Sequence, residues 1–290
     1  MAAYKGTQLN PKTFQRNQIG FLIILLLISC VMILPIIYII SQAFKPLDEL
    51  FYFPPRMIVL HPTLDNFREL IRLAGTTGYP ALMYLMNSLI ISIVYVVLTV
   101  FIAVTAGYAL SKKQFRLRGI IFKVNQLALM FVAVAVAIPN YLIISGLGLI
   151  DNFLVHIIPS LAVPVYLFLL KQYIDDGVPN ELLESAKLDG ANDFQIITKF
   201  VIPLVKPAIA TIAILAFQSI WNSGGASLIY LTSERLKTFP YYLSLLQASA
   251  GIKATGVAAA SSLITFVPNL IIFIFMQSKV MNTMARSGIK

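Results

Sequence analysis

The chain has 290 residues, 58% of them hydrophobic and only 12% charged, with a mean hydropathy of +0.83. Soluble domains carry about 25% charged residues, so this chain cannot cover itself with a polar surface in water and needs a bilayer as its solvent. A net charge of +10 invites a nucleic-acid reading that the placement of the charges removes below, and a single cysteine, Cys30, excludes an internal disulfide framework.

A spanning helix needs about 20 mostly apolar residues, and six segments qualify in chain order: 19–42, 82–110, 120–146, 153–172, 205–230 and 256–279. The N-terminal stretch 1–18 carries Lys5, Lys12 and Arg16 ahead of the first apolar run, as a signal peptide would. That run, Gly20 to Ile40, exceeds the roughly 7–15 residues of a signal core, and Phe44-Lys45-Pro46 follows it instead of a small-residue cleavage site. It reads as a retained first span, followed by an external segment over 43–81. A five-span core over 82–280 comes next, with a tail over 281–290. Lys123, Asn125 and Gln126 open the third span. Pro159 and Pro164 predict a kink in the fourth, and the fifth carries Trp221 and Asn222. Ala248–Ser262 is rich in small residues that permit close helix approach. The expected fold is an all-α integral membrane protein with six transmembrane helices.

An even number of spans puts both termini on one side. Fifteen of the 22 Lys and Arg residues fall in the N-terminus, the 111–123 loop, the 171–206 loop and the C-terminus; seven fall in the alternate segments. The positive-inside rule makes the richer side cytoplasmic, in a bacterial cell membrane. The basic excess is therefore a topology signal, and nucleic acid drops away as a partner. All twelve acidic residues lie outside the span cores. Proton-coupled carriers use intramembrane carboxylates or histidines, and only His156 enters a span.

The most informative loop, 173–204, joins spans four and five on the expected cytoplasmic side. Pro179 suits a helix start, and Glu181 and Glu184 lie near the positive end of that helix. Gly190 suits a left-handed C-terminal cap. Asn192 with Gln195 three residues on forms a capping-box pattern that opens a second helix, and Pro203 and Pro207 punctuate the entry into span five. The loop reads as helix–turn–helix, with Leu182, Ser185, Ala186 and Asp189 expected on one face. Its small residues would let that face approach another surface, and Glu184 would be aimed at a partner's basic residue.

Glu184-Ser185-Ala186, Gly190 and Pro203 fall at the spacing of the EAA loop of binding-protein-dependent ABC importer permeases, which this chain resembles. Asp189-Gly190-Ala191 fits the D-G-A variant of that loop; Ser185, Phe200 and Ile202 depart from its pattern. Phe44-Lys45-Pro46, Pro54-Pro55 and Thr63-Leu64-Asp65-Asn66-Phe67 are similar to the first external loop of the carbohydrate-uptake, maltose-permease-like branch. Asn87-Ser88 and Gly107-Tyr108-Ala109-Leu110 are similar to the ends of its second span. The tail, Met284 to Lys290, resembles a Gram-positive subgroup for polysaccharide-derived oligosaccharides. The resemblance implies a second permease subunit, a cytoplasmic ATP-binding-cassette ATPase dimer that receives the EAA helix, and an external solute-binding protein that delivers a carbohydrate. It assigns coupling to Glu181, Leu182, Glu184, Ser185, Ala186, Asp189, Gly190 and Pro203.

The chain contains no Gly-Lys dipeptide and so no phosphate-cradling Walker loop; ATP hydrolysis is expected in another polypeptide. No catalytic constellation, metal site or cofactor is expected. Trp221 and Asn222 suit sugar binding by stacking and hydroxyl hydrogen bonds, and suit helix packing equally well. Asn125 and Gln126 are further candidates for the substrate path, although helix–helix hydrogen bonds explain such residues more often. The rival classes are a sodium-coupled secondary transporter, whose ion backbone carbonyls could hold, and a membrane-embedded transferase.

Overall fold

The computed structural model describes residues 19–75, 78–132 and 134–287, the side chains of 252 and 276–287 excepted. The expected N-terminal stretch 1–18 and the last three residues of the tail lie outside the described residues. Among the described residues every regular element is helical. Thirteen α-helices follow one another: α1 (Ile19–Phe44), α2 (Leu47–Leu50), α3 (Asp65–Ala74), α4 (Ala81–Lys112), α5 (Arg118–Ala128), α6 (Ala137–Gly146), α7 (Pro164–Gly177), α8 (Asn180–Leu188), α9 (Asp193–Ile196), α10 (Ile202–Trp221), α11 (Gly225–Ile229), α12 (Phe239–Ser249) and α13 (Ala254–Ser287). The chain divides into two compact units. Described residues of the first are 19–75 and Ser244–Phe266; those of the second are 78–243 and Val267–Ser287.

In the first unit, α1 is apolar on every face and exposed from Ile19 to Ile40; only Ser41, Gln42 and Ala43 near its end are buried. A helix without a polar face suits hydrocarbon on all sides. Its last turn leaves carbonyls without helical partners. Asn66 of α3 answers them, its Nδ2 donating to the carbonyls of Ala43 at 3.0 Å and Lys45 at 2.9 Å.

The second unit is built on α4, α7 and α10. Ile91, Tyr95, Val104 and Tyr108 from α4 pack with Leu170 and Ile174 from α7 and with Val205 and Ile212 from α10. Gly107 permits the α4–α7 approach: a Cβ there would lie 3.4 Å from both Ile174 Cδ1 and the Lys171 backbone nitrogen.

Among the described residues four helical stretches are long and apolar enough to cross a membrane: Ile19–Phe44, Ala81–Lys112, Asp193–Ile229 and Ala254–Phe275. A fifth arises if Phe153–Leu161 and Pro164–Gly177, bent by 46° at their junction, count as one. The kink expected from Pro159 and Pro164 is therefore present. The third expected span, 120–146, is instead two short helices, α5 and α6, with Leu129–Val136 between them. Pro139 supplies the reason. It has no N–H and its ring clashes with the carbonyl four residues earlier, so a continuous helix fails there while Pro139 is tolerated in the first turn of α6. At the other end of the chain α13 stays helical to Ser287, past the expected start of the tail.

Candidate functional site

The 173–204 segment begins with Pro179 at the N-cap of α8, extended at φ −63° and ψ 141°. Leu183 and Ala186 are the buried residues of α8 and join the core that holds Ile174, Val178, Ile196 and Val201. Glu181, Leu182, Glu184, Ser185, Lys187, Leu188 and Asp189 are exposed. The face expected to contain Leu182, Ser185, Ala186 and Asp189 is thus split. Leu183 is the large apolar anchor, and its neighbour three residues on is Ala186, so burying one turns the other inward.

The chain leaves α8 through Gly190, at φ +85°. The amides of Gly190 and Ala191 donate to the carbonyls of Lys187 (3.0 Å) and Ala186 (2.9 Å), which ends the helix in a left-handed cap. Among the described residues no atom beyond Gly190 and its two chain neighbours lies within 4 Å of a Cβ built there, so a side chain is opposed by the backbone conformation rather than by crowding. Asn192 then opens α9 with both capping-box bonds: its Oδ1 accepts from the Gln195 amide at 2.9 Å, and Gln195 Oε1 accepts from the Asn192 amide at 3.0 Å. A π-helical turn, Ile197–Val201, links α9 to α10. Pro203 explains it. Without an N–H it cannot bond the Lys199 carbonyl, and the preceding amide, of Ile202, reaches back five residues to Ile197.

Among the described residues no ion pair involves Glu181 or Glu184. Two large apolar side chains flank the Gly190 turn in the open, Leu188 at 90% exposure and Phe194 at 72%. Sequence reasoning passed over both. The signal was available: a leucine and a phenylalanine bracketing a glycine turn, outside the buried period of α8.

Loops expected on one side of the membrane meet one another. Lys113 pairs with Asp193 at 2.6 Å, and Lys112 Nζ donates to Asn180 Oδ1 at 3.0 Å. Asp193 beside it raises the pKa of the Lys113 ammonium above lysine's usual value. At the other ends of the helices, Asp151 (φ +54°) accepts from the amides of Thr232 (3.0 Å) and Ser233 (2.8 Å) and from the Ser233 hydroxyl (2.6 Å). Asn87 Nδ2 donates to the carbonyls of Arg235 and Lys237, both at 2.9 Å.

The expected substrate-path residues fall in different settings. Trp221 is 1% exposed and stacked on Phe217 with ring centroids 5.6 Å apart; it is a core residue. Its neighbour Asn222 is exposed. Asn222 Nδ2 donates to the Gln218 carbonyl at 2.8 Å, and its Oδ1 accepts from Asn269 Nδ2 of α13 at 3.1 Å. Asn269 was not singled out from the sequence, although an amide within the apolar sixth span is itself a signal. Asn125 Nδ2 donates to the Pro164 carbonyl at 3.1 Å and borders a mainly apolar cavity of about 350 Å³ between α4, α5 and α7. Gln126 is exposed on α5. Among the described residues no cluster of His, Cys, Asp and Glu could hold a metal ion.

Residues 100–278 match the family model of the binding-protein-dependent transport system inner membrane component. The chain belongs to that family. It is accordingly a multi-pass membrane component of a transport system, a role distinct from that of an enzyme. Among relatives of this inner membrane component, the arabinooligosaccharides transport system permease protein AraQ of Halalkalibacterium halodurans is 30% identical over 91% of this chain and 93% of its own. The trehalose/maltose transport system permease protein MalG of Thermococcus litoralis is 28% identical, covering 91% of this chain and 94% of its own. A bacterial ABC transporter involved in the import of the acidic polysaccharide alginate includes a chain of the same fold. It aligns with a TM-score of 0.70 and 23% identity over 93% of this chain and 99% of that one.

Proposed function

We propose that this chain is one permease subunit of an ATP-driven carbohydrate importer and that α8 is its coupling helix. The observation that carries the reading is the construction of α8. One edge, Leu183 and Ala186, is locked into the core shared with α4, α7 and α10, while Glu181, Glu184, Ser185 and Asp189 are exposed and make no ion pair among the described residues. A push on the outer edge is passed to membrane helices through packed side chains rather than absorbed by a loose loop. Leu188 and Phe194 would be covered when an ATPase subunit receives the helix.

The proposed partners are a second permease, an ATP-binding-cassette ATPase dimer and an external solute-binding protein. The relatives named for arabinooligosaccharides and for trehalose and maltose support a carbohydrate substrate, an oligosaccharide in particular. In this reading α5 and α6 together make the third of six spans around the Pro139 interruption. Asn222 faces the path, with Asn125 and Gln126 as further contacts, while Trp221 supports the wall from behind. Affinity purification of the tagged chain from mild detergent should bring down an ATPase and a second six-span protein. Recovery of the folded chain alone from cells expressing the whole system would contradict the assignment.

Both termini are proposed to be cytoplasmic. The meetings of Lys113 with Asp193 and of Asp151 with Ser233 support the pairing of loops by side, and the basic asymmetry orients the pairs. Lys237 is nearly buried and makes a poor reporter, whereas Arg235 is exposed. In a Cys30→Ser background, Arg235→Cys should react with a membrane-impermeant thiol reagent in intact cells. Gln114→Cys, exposed in the basic 111–123 loop, should react only after permeabilisation. The reverse pattern would invert the topology.

A further inference from the structure

The loop between α2 and α3, residues 51–60, reads Phe-Tyr-Phe-Pro-Pro-Arg-Met-Ile-Val-Leu and contains no acidic residue. Phe51, Tyr52, Met57, Ile58 and Leu60 are exposed, and Phe53 at its tip is 95% exposed. Such a concentration of bare aromatic and aliphatic side chains marks an interaction surface.

The base of the loop is the opposite of loose. Glu49, itself only 4% exposed, accepts from the amides of Leu60 (3.0 Å) and His61 (2.8 Å). Lys45, 1% exposed, donates from Nζ to the Arg56 carbonyl, and the Thr63 amide donates to the Phe44 carbonyl at 2.8 Å. These bonds pin the loop to α2 and to Phe44-Lys45 at the end of α1. About ten residues that return to their starting point reach out at most about 17 Å. The tip is therefore held close to the end of a helix whose whole apolar length, Ile19 to Ile40, is exposed and needs hydrocarbon around it.

We propose that loop 51–60 is a membrane-surface anchor that seats Phe51, Tyr52 and Phe53 in the interface of the leaflet at the Phe44 end of α1, with Arg56 at the phosphate layer. The lipid surface is chosen over a protein partner on two grounds. The first is continuity: α1 is apolar and exposed from Ile19 to Ile40, as a helix in hydrocarbon would be, and the loop is tied to the end of that helix. The second is charge. Arg56 is the one charged side chain of the loop, and its guanidinium lies 5.1 Å from the Tyr52 ring centroid. Aromatic rings with a cation and no anion match the headgroup region of an anionic bilayer. The pinned base keeps the rings from folding back onto their own unit, so the loop is ordered before it meets the lipid.

The test places an environment-sensitive dye at the tip. Phe53→Cys in a Cys30→Ser background is labelled with a nitrobenzoxadiazole thiol reagent. The chain is studied with its co-purifying subunits in nanodiscs of phosphatidylcholine and phosphatidylglycerol. Because Phe53 is almost fully exposed, its replacement leaves packing intact. The expected result is blue-shifted emission, quenched several-fold more by lipids with a shallow doxyl group than by aqueous iodide, and unchanged when a solute-binding protein is added. Water-like emission quenched by iodide would overturn the proposal. So would a blue shift without lipid quenching, or one that appears only with the binding protein, since either would mean that protein covers the loop.

Discussion

Glu184→Lys should leave the chain folded and in the membrane while cutting substrate-stimulated ATP hydrolysis and sugar uptake together, by tenfold or more. Glu184 is exposed on α8, and among the described residues it makes no ion pair, so its reversal breaks nothing inside the subunit. If the outer edge of α8 meets a basic residue of an ATPase, the change replaces attraction by repulsion at a desolvated contact. Losing a buried charge pair costs about 2–5 kcal/mol, which corresponds to at least a tenfold weaker association. Gly190→Val tests the same element from the backbone side. At φ +85° a non-glycine residue is penalised by about 1–2 kcal/mol, and a β-branched one by more. The left-handed cap that sets the angle between α8 and α9 would then relax. Both variants leave the solute-binding protein unaltered, so its affinity for sugar should be unchanged. A loop that merely capped the helices would instead give lower expression or thermal stability, with normal coupling in whatever folded. Subunit retention, uptake and ATP turnover, measured on one reconstituted sample, separate the two outcomes.

Trp221→Ala should have the largest effect on stability of any single change at the sites considered. The side chain is 1% exposed and stacked on Phe217, and truncating a buried Phe or Trp to Ala costs about 3–5 kcal/mol. Loss of assembled complex and a markedly lower melting temperature in detergent are expected. Asn222→Ala, one residue away, should behave differently: normal assembly, with a changed KM for sugar uptake as the main effect. Equal loss of assembly in both would make Asn222 a packing residue rather than a path residue.

The contrast between these neighbours also shows where sequence reasoning reaches its limit. Consecutive helical residues point about 100° apart, so Trp221 can face the core while Asn222 faces out, but the adjacent letters do not say which does which. Burial of the larger apolar ring decides it. The same arithmetic placed Ala186 inward on α8, because Leu183 took the core and carried its i+3 neighbour with it. The continuity of the third span was overestimated because hydropathy counts residues without asking whether their amides can bond; Pro139 ends a stretch, 127–138, that is apolar throughout. Features governed by local chemistry were readable directly. Gly190 adopts the left-handed conformation expected of a helix cap, and Asn192 with Gln195 closes the capping box. The long apolar runs became α1, α4 and α13 within a few residues of their expected starts. Leu188 and Phe194, both exposed, were readable as well, since they bracket the Gly190 turn outside the buried period of α8.

The most direct test of the central claim is uptake by proteoliposomes that contain this chain with its co-purifying subunits. Arabinotriose and maltose are offered outside together with the solute-binding protein. If this is the permease of an ATP-driven importer, accumulation requires ATP on the cytoplasmic face and the binding protein on the other, and it is indifferent to a sodium gradient. Accumulation driven by a sodium gradient without ATP would contradict the account and return the chain to the class of secondary transporters.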